Sequence, residues 1–156
     1  MNLKKLIAGI DVSKDSLDIY YNTQRGKGQF LKITNDRKGH RALLQKLGSK
    51  RTYVMEASGP YFLRLAFYLK TSGVDVRVEN PIKIKRFIQM QLERNKSDTK
   101  DARWIFHYGM ERKGRTWKPP AANCLKCKAI LNSVNFFTKS GNLLSSVPVS
   151  SLLKLP

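Results

Sequence analysis

The sequence predicts an α/β fold, a mixed five-stranded sheet with flanking helices, followed by a helical segment. Three observations carry that prediction. Short apolar runs rich in β-branched and aromatic residues recur five times up to residue 80. The first three follow one another through polar turns, with no helical stretch between them. The last three are each followed by a longer run with apolar residues at helical spacing. Strands joined by turns pair antiparallel, whereas strands joined by helices return parallel. The order βββαβαβα therefore gives a three-stranded meander and then βαβ crossovers.

KLIAGIDV (5–12) reads as a buried strand, and LDIYY (17–21) as the second after the turn signal SKDS. The Gly-rich stretch NTQRGKG separates it from QFLKIT (29–34), which closes the meander. Asn35 is placed to cap a helix from Asp36 to Leu47, with Leu43, Leu44 and Leu47 on one face and Gly48 as its stop. RTYVMEA (51–57) is the fourth strand. A helix opened by Pro60 and closed by Gly73 follows, with Phe62, Leu65, Ala66 and Leu69 at core spacing. VDVRVEN (74–80) alternates as the fifth strand, and Pro81 opens another helix. Past the polar break RNKS, a helix runs from Asp98 to Gly109, and RTWKPPAAN (115–123) is a Pro-rich linker. Residues 124–141 again look helical, and 142–156 look extended. The division expected is a catalytic domain over 1–114 and a linker, connector helix and tail over 115–156.

Charge narrows the partner. Lys and Arg number 30 against 11 acidic residues, a net charge of +19, which suits a polyanion because each cation placed on a phosphate releases condensed counterions. A hydrophobic content of 41% sets the chain apart from a disordered basic tail. The apolar run after MNLKK is too short for a signal peptide, and YFLRLAFYL is interrupted by Arg64 and falls short of a membrane span. No membrane association is expected, and Cys124 and Cys127 without an export signal fit the reducing cytoplasm. Their C-x-x-C spacing lacks further Cys or His ligands nearby, so they read as two small residues in a helix rather than as half a zinc site.

In so basic a chain the positions of the few acids are informative. Asp11 ends the first strand in AGIDVS, Glu56 ends the fourth in YVMEASG, and Asp98 and Asp101 open a helix within KSDTKDARWI. A meander leaves strands 1 and 4 side by side, which sets Asp11 beside Glu56, and residues three apart on a helix share a face. Carboxylates converging there repel unless a hard divalent cation binds them, and Mg²⁺ prefers such oxygen ligands. Each residue also has a plainer reading. Asp98 and Asp101 fit an N-cap and N3 pair, Asp11 simply ends a strand, and Glu56 sits at a turn. Asp15 and Asp18 would serve as well as Asp11 by charge alone.

Three blocks, GIDVSKDSLDIY, MEASGPYFLRLAFYL and KSDTKDARWI, occur in order and resemble the signature blocks of the DEDD-type insertion-sequence transposases, relatives of the Piv DNA invertase. NPIKIKRF is similar to the segment between the second and third blocks. The resemblance covers residues 5 to 120 and implies an RNase H-like (RuvC-like) domain. It implies Asp11, Glu56, Asp98 and Asp101 as catalytic residues and ligands of Mg²⁺, with Mn²⁺ as a substitute. It further implies DNA transposition as the activity, DNA as partner and a structured guide RNA. A homo-oligomer is expected of the full-length protein. Family members continue through a helical connector into a second domain with a catalytic serine, so a chain ending at Pro156 reads as a truncated transposase or its N-terminal domain. Lys83, Lys85, Arg86, Lys96, Lys100 and Arg103, interleaved with Phe87 and Trp104, are the candidate nucleic-acid contacts. On a second reading these bases make the chain a catalytically incomplete nucleic-acid-binding remnant. GIDVS also looks like the first phosphate motif of actin-like sugar kinases, but no second Gly-rich phosphate loop follows.

Overall fold

A computed structural model describes residues 5–91 and 98–121, apart from the side chains of 98–100. Its elements lie in the first of two compact units, Met1–Trp117. They are β1 (Ile7–Val12), β2 (Ser16–Asn22), β3 (Gly28–Thr34), α1 (Arg37–Leu47), β4 (Thr52–Glu56), α2 (Phe62–Thr71), β5 (Asp75–Glu79), α3 (Pro81–Met90) and α4 (Asp98–Glu111). The sheet order is β3-β2-β1-β4-β5. β1, β2 and β3 pair antiparallel, while β4 and β5 run parallel to β1. This is the expected RNase H-like arrangement, a mixed five-stranded sheet with flanking helices. The connector expected over 124–141 lies outside the described residues.

Side chains alternate between the two faces of a strand, and β1, β2, β4 and β5 carry buried residues on both. Ala8, Ile10 and Val12 of β1 point to one side with Leu17, Ile19 and Tyr21 of β2, Tyr53 and Met55 of β4, and Val76 of β5. Leu43 of α1 and Leu65 and Leu69 of α2 close that core. On the other side Ile7 and Val54 meet Ile84 of α3 and Ile105 and Phe106 of α4. Each such aliphatic side chain taken fully from water contributes about 1.5–3 kcal/mol. Trp117 extends the first core: its main-chain N–H donates to the Val76 carbonyl at 2.7 Å, and its ring stands edge-on to Phe67.

One glycine decides how closely α4 approaches. A Cβ at Gly9 of β1 would stand 2.5 Å from the Ala102 carbonyl oxygen and 2.6 Å from the Phe106 Cα, so helix backbone rests directly on strand backbone. Gly109, seven residues along the same helix face, lies over Val54 and Ile7, and α4 continues through it to Glu111 instead of stopping there. Its missing side chain serves packing, not termination.

Asp36, not Asn35, caps α1: its carboxylate accepts the Gly39 N–H at 2.7 Å. Both residue types make good caps, so local sequence does not choose between neighbours. Asn35 is buried instead and ties loops together. Its amide donates to the Ser13 carbonyl at 2.8 Å, and its side-chain oxygen meets His40 Nε2 at 2.8 Å. Burial holds the His40 pKa below the ordinary 6.5, against the opposing pull of Asp36, with Arg64 also lowering it. A histidine whose folded pKa is depressed favours folding above its unfolded value and loses that contribution as pH falls through about 6.5. Thermal unfolding followed from pH 7.5 downward should therefore show a stability loss near that value, and His40→Gln should flatten it.

Candidate active site

The strand register assembles the site. Asp11 lies two residues from Gly9, on the α4 side of β1, and Glu56 lies two residues from Val54, on the same side of β4. The parallel ladder pairs Ile10 with Met55, which brings Asp11 beside Glu56 at the next position. Asp11 is paired with Asp18 of β2, Asp18 with Lys32 of β3, and Glu56 with Glu79 of β5. Lys32, Asp18, Asp11, Glu56 and Glu79 thus form one row across the sheet, with strand spacings of about 4.8 Å.

Helix α4 comes to the same end of the sheet. It runs antiparallel to β1, since Ala102 meets Gly9 while Gly109 meets Ile7 and the Lys5 ammonium donates to the Gly109 carbonyl at 2.6 Å. From the contact at Ala102, Asp98 lies four residues back, about 6 Å of helix rise. From Gly9, Asp11 lies two residues forward, about 6.6 Å of strand rise. The first turn of α4 is therefore level with Asp11, and the positive end of the helix dipole points at the row. The side chain of Asp98 lies outside the described residues.

The charges along the row are not treated alike. At its outer ends, buried Asp18 is held by the Lys32 ammonium at 3.2 Å, and buried Glu79 has Lys83 at 4.0 Å. The Tyr108 hydroxyl donates to Glu79 at 3.4 Å, and burial together with the Glu79 charge raises its pKa above the ordinary value. Near the middle, burial raises the Glu56 pKa and the negative charge of Asp101 raises it further, against a hydrogen bond from Ser58. Two carboxylates that repel across α4 and β4 could hold a divalent cation, because Mg²⁺ prefers oxygen ligands and completes its shell with water. Among the described residues, no three Asp, Glu, His or Cys side chains form a ready metal cage.

The candidate nucleic-acid contacts divide. Lys83, Lys85 and Arg86 are on the exposed side of α3, opposite Ile84 and Phe87. Arg103 of α4 lies over the Tyr20 ring at 5.8 Å. Lys96 and the Lys100 side chain lie outside the described residues. Phe87 does not line a groove: it is 3% exposed and packs edge-on against Tyr108, because it shares the core face of α3 with Ile84. Sequence reading passed over Lys32 and Glu79 and gave Asp18 no place of its own. The strand alternation held the signal, since Asp18 recurs on the Tyr20 face, but only the register shows what it opposes.

A profile of the DEDD transposase family, IS110 type, described as a transposase, matches residues 8–131. The pilin gene-inverting protein of Moraxella lacunata is 27% identical over 135 residues, and that of Moraxella bovis 28% over 138. Each alignment covers 83% of this chain and 42% of the relative, so the chain spans less than half the length of these relatives. Among solved structures, T. thermophilus RuvC in complex with Holliday junction substrate overlaps 68% of this chain and 97% of its own, at 14% identity and a TM-score of 0.45. Another Thermus thermophilus RuvC structure overlaps 73% and 84%, at 15% identity and a TM-score of 0.39. With the profile spanning most of its length, the chain belongs to the IS110-type DEDD transposase family.

Proposed function

We propose that this chain is the metal-dependent catalytic domain of a DNA recombinase of the transposase class. One observation carries the reading: the register sets Asp11 beside Glu56, and α4 brings the Asp101 charge to the same end of the sheet. Asp11, Glu56, Asp98 and Asp101 would hold Mg²⁺ or Mn²⁺. Such ions, when bound, stabilise the attacking and leaving oxygens of a phosphodiester displacement. The chain's own residues do the rest. Lys32 and Lys83 lie beside the outer carboxylates Asp18 and Glu79, at 3.2 and 4.0 Å. The exposed bases of α3, Lys83, Lys85 and Arg86, with Lys96, Lys100 and Arg103, take the phosphates that flank the scissile bond.

DNA is the substrate in this reading. A structured guide RNA is a second partner, and the protein works as a cytoplasmic homo-oligomer. Among the described residues no helix is long and apolar enough to cross a membrane. Binding to DNA should weaken steeply with salt, and reversing Lys85 and Arg86 to Glu should reduce the slope of log affinity against log salt by about 1.8 on duplex DNA. A gel-shift titration measures both. Salt-insensitive binding would remove the nucleic-acid reading. Binding without any response to Mg²⁺ would favour a module that holds nucleic acid and does no chemistry.

A further inference from the structure

Among the described residues, no helix packs on the side of β3 that faces away from α1 and α2. Its residues Gly28, Phe30, Lys32 and Thr34 are all exposed, because α4 packs on β1 and β2. Phe30 is 51% exposed, an unusual place for a phenylalanine on a chain with so many polar alternatives. Its ring rests against Tyr20, its partner in the ladder, with centroids 4.6 Å apart. Tyr20 is fixed in turn by an edge-on contact with Phe106 at 5.0 Å. It lies flat toward Gly28, where a Cβ would run into its hydroxyl. The aromatic pair is thus held against α4, and about half of Phe30 is left to solvent.

Cations frame it. Arg103 lies over Tyr20 on one flank. Lys32, two residues from Phe30 on the same side, has a side chain 64% exposed, and its ammonium retains donors beyond the one facing Asp18. Arg25 and Lys27 stand exposed in the turn between β2 and β3. An open ring face beside phosphate-binding cations suits an unstacked base and its backbone, an arrangement that a duplex, with its bases already stacked, does not satisfy. Lys32 also belongs to the row that contains Asp11, two strand spacings or about 10 Å away.

We infer that the open side of β3, with Phe30 as stacking platform and Lys32 and Arg103 as phosphate contacts, holds a single strand of nucleic acid and leads it to the carboxylate row. This rests on the catalytic reading above, since the strand's destination is that site. β3 is also a sheet edge, so the competing occupant is the β3 of a second copy of the chain.

The test uses a short oligothymidine with one fluorescent adenine analogue whose emission is quenched by stacking. The parent chain should bind it and quench it. Phe30→Ala, a change at an exposed position, should weaken binding about five- to a hundredfold and remove the quenching. Phe30→Trp should restore both, and the affinity for a duplex of the same length should not change with either variant. Asp11→Asn should leave the quenching intact, and Phe30→Ala should leave the response to Mg²⁺ intact, which separates the strand path from the metal site. Equal binding and quenching by parent and Phe30→Ala would overturn the shelf while the catalytic reading stands. A Phe30→Ala variant that changes only the oligomeric state in size-exclusion would overturn it in favour of an interface between copies.

Discussion

Gly9→Val is expected to lower the unfolding midpoint by roughly 10 °C or more, equivalent to about 3 kcal/mol or more. The reason is geometric. The space a side chain would need at position 9 is occupied by main-chain atoms of Ala102 and Phe106, which cannot rotate aside. Either α4 lifts from β1 or β1 shifts within the sheet, and both open the core around Ile7, Val54, Ile105 and Phe106. Gly109→Ala should cost less, because there the atoms met are side-chain atoms, a Val54 methyl at 2.8 Å and an Ile7 methyl at 3.2 Å, and not main chain. Gly9→Val should also lose any response to Mg²⁺, since α4 carries Asp98 and Asp101. Circular dichroism melts with and without the ion read both effects. A Gly9→Val variant that melts like the parent would mean that α4 is not seated on β1.

Asp11→Asn should abolish stabilisation by Mg²⁺. An ion bound only by the folded chain stabilises it by about 2.7 kcal/mol at a hundred times its dissociation constant, and the parent midpoint should rise accordingly. Asparagine keeps the shape of aspartate but removes a negative charge from a row in which Asp18 and Glu56 are neighbours. Without metal, the variant should therefore melt at the parent temperature or slightly above it. A variant whose midpoint rises with Mg²⁺ as the parent's does would remove Asp11 from the site.

The part of the fold that was legible in the sequence is the part set by local pattern. Five short apolar runs, three of them followed by helical spacing, were enough for the strand order, because meanders and crossovers allow few alternatives. The acids at the ends of β1 and β4 stood out because carboxylates are scarce in a chain of net charge +19. What escaped depends on contacts between distant segments. Lys32, Asp18 and Glu79 join the row only through the register of the β2–β3 and β4–β5 ladders. Gly9 looked like one more residue of a buried strand until α4, almost a hundred positions later, came to rest on it. Phe87 looked like a groove aromatic among lysines, yet its spacing from Ile84 puts it on the buried side of α3. Asn35 and Asp36 were exchanged as helix caps because the buried His40, which claims Asn35, lies a turn further on.

If strand ends and the start of α4 together make one divalent-metal site, Mn²⁺ binding followed by electron paramagnetic resonance will show it. The parent chain should take up Mn²⁺ in competition with Mg²⁺. Asp11→Asn, Glu56→Gln, Asp98→Asn and Asp101→Asn should each weaken that uptake about tenfold or more, while Asp15→Asn, in the turn between β1 and β2, should not. Uptake that is unchanged in all four variants, or lost equally in Asp15→Asn, would mean that these carboxylates do not form the site.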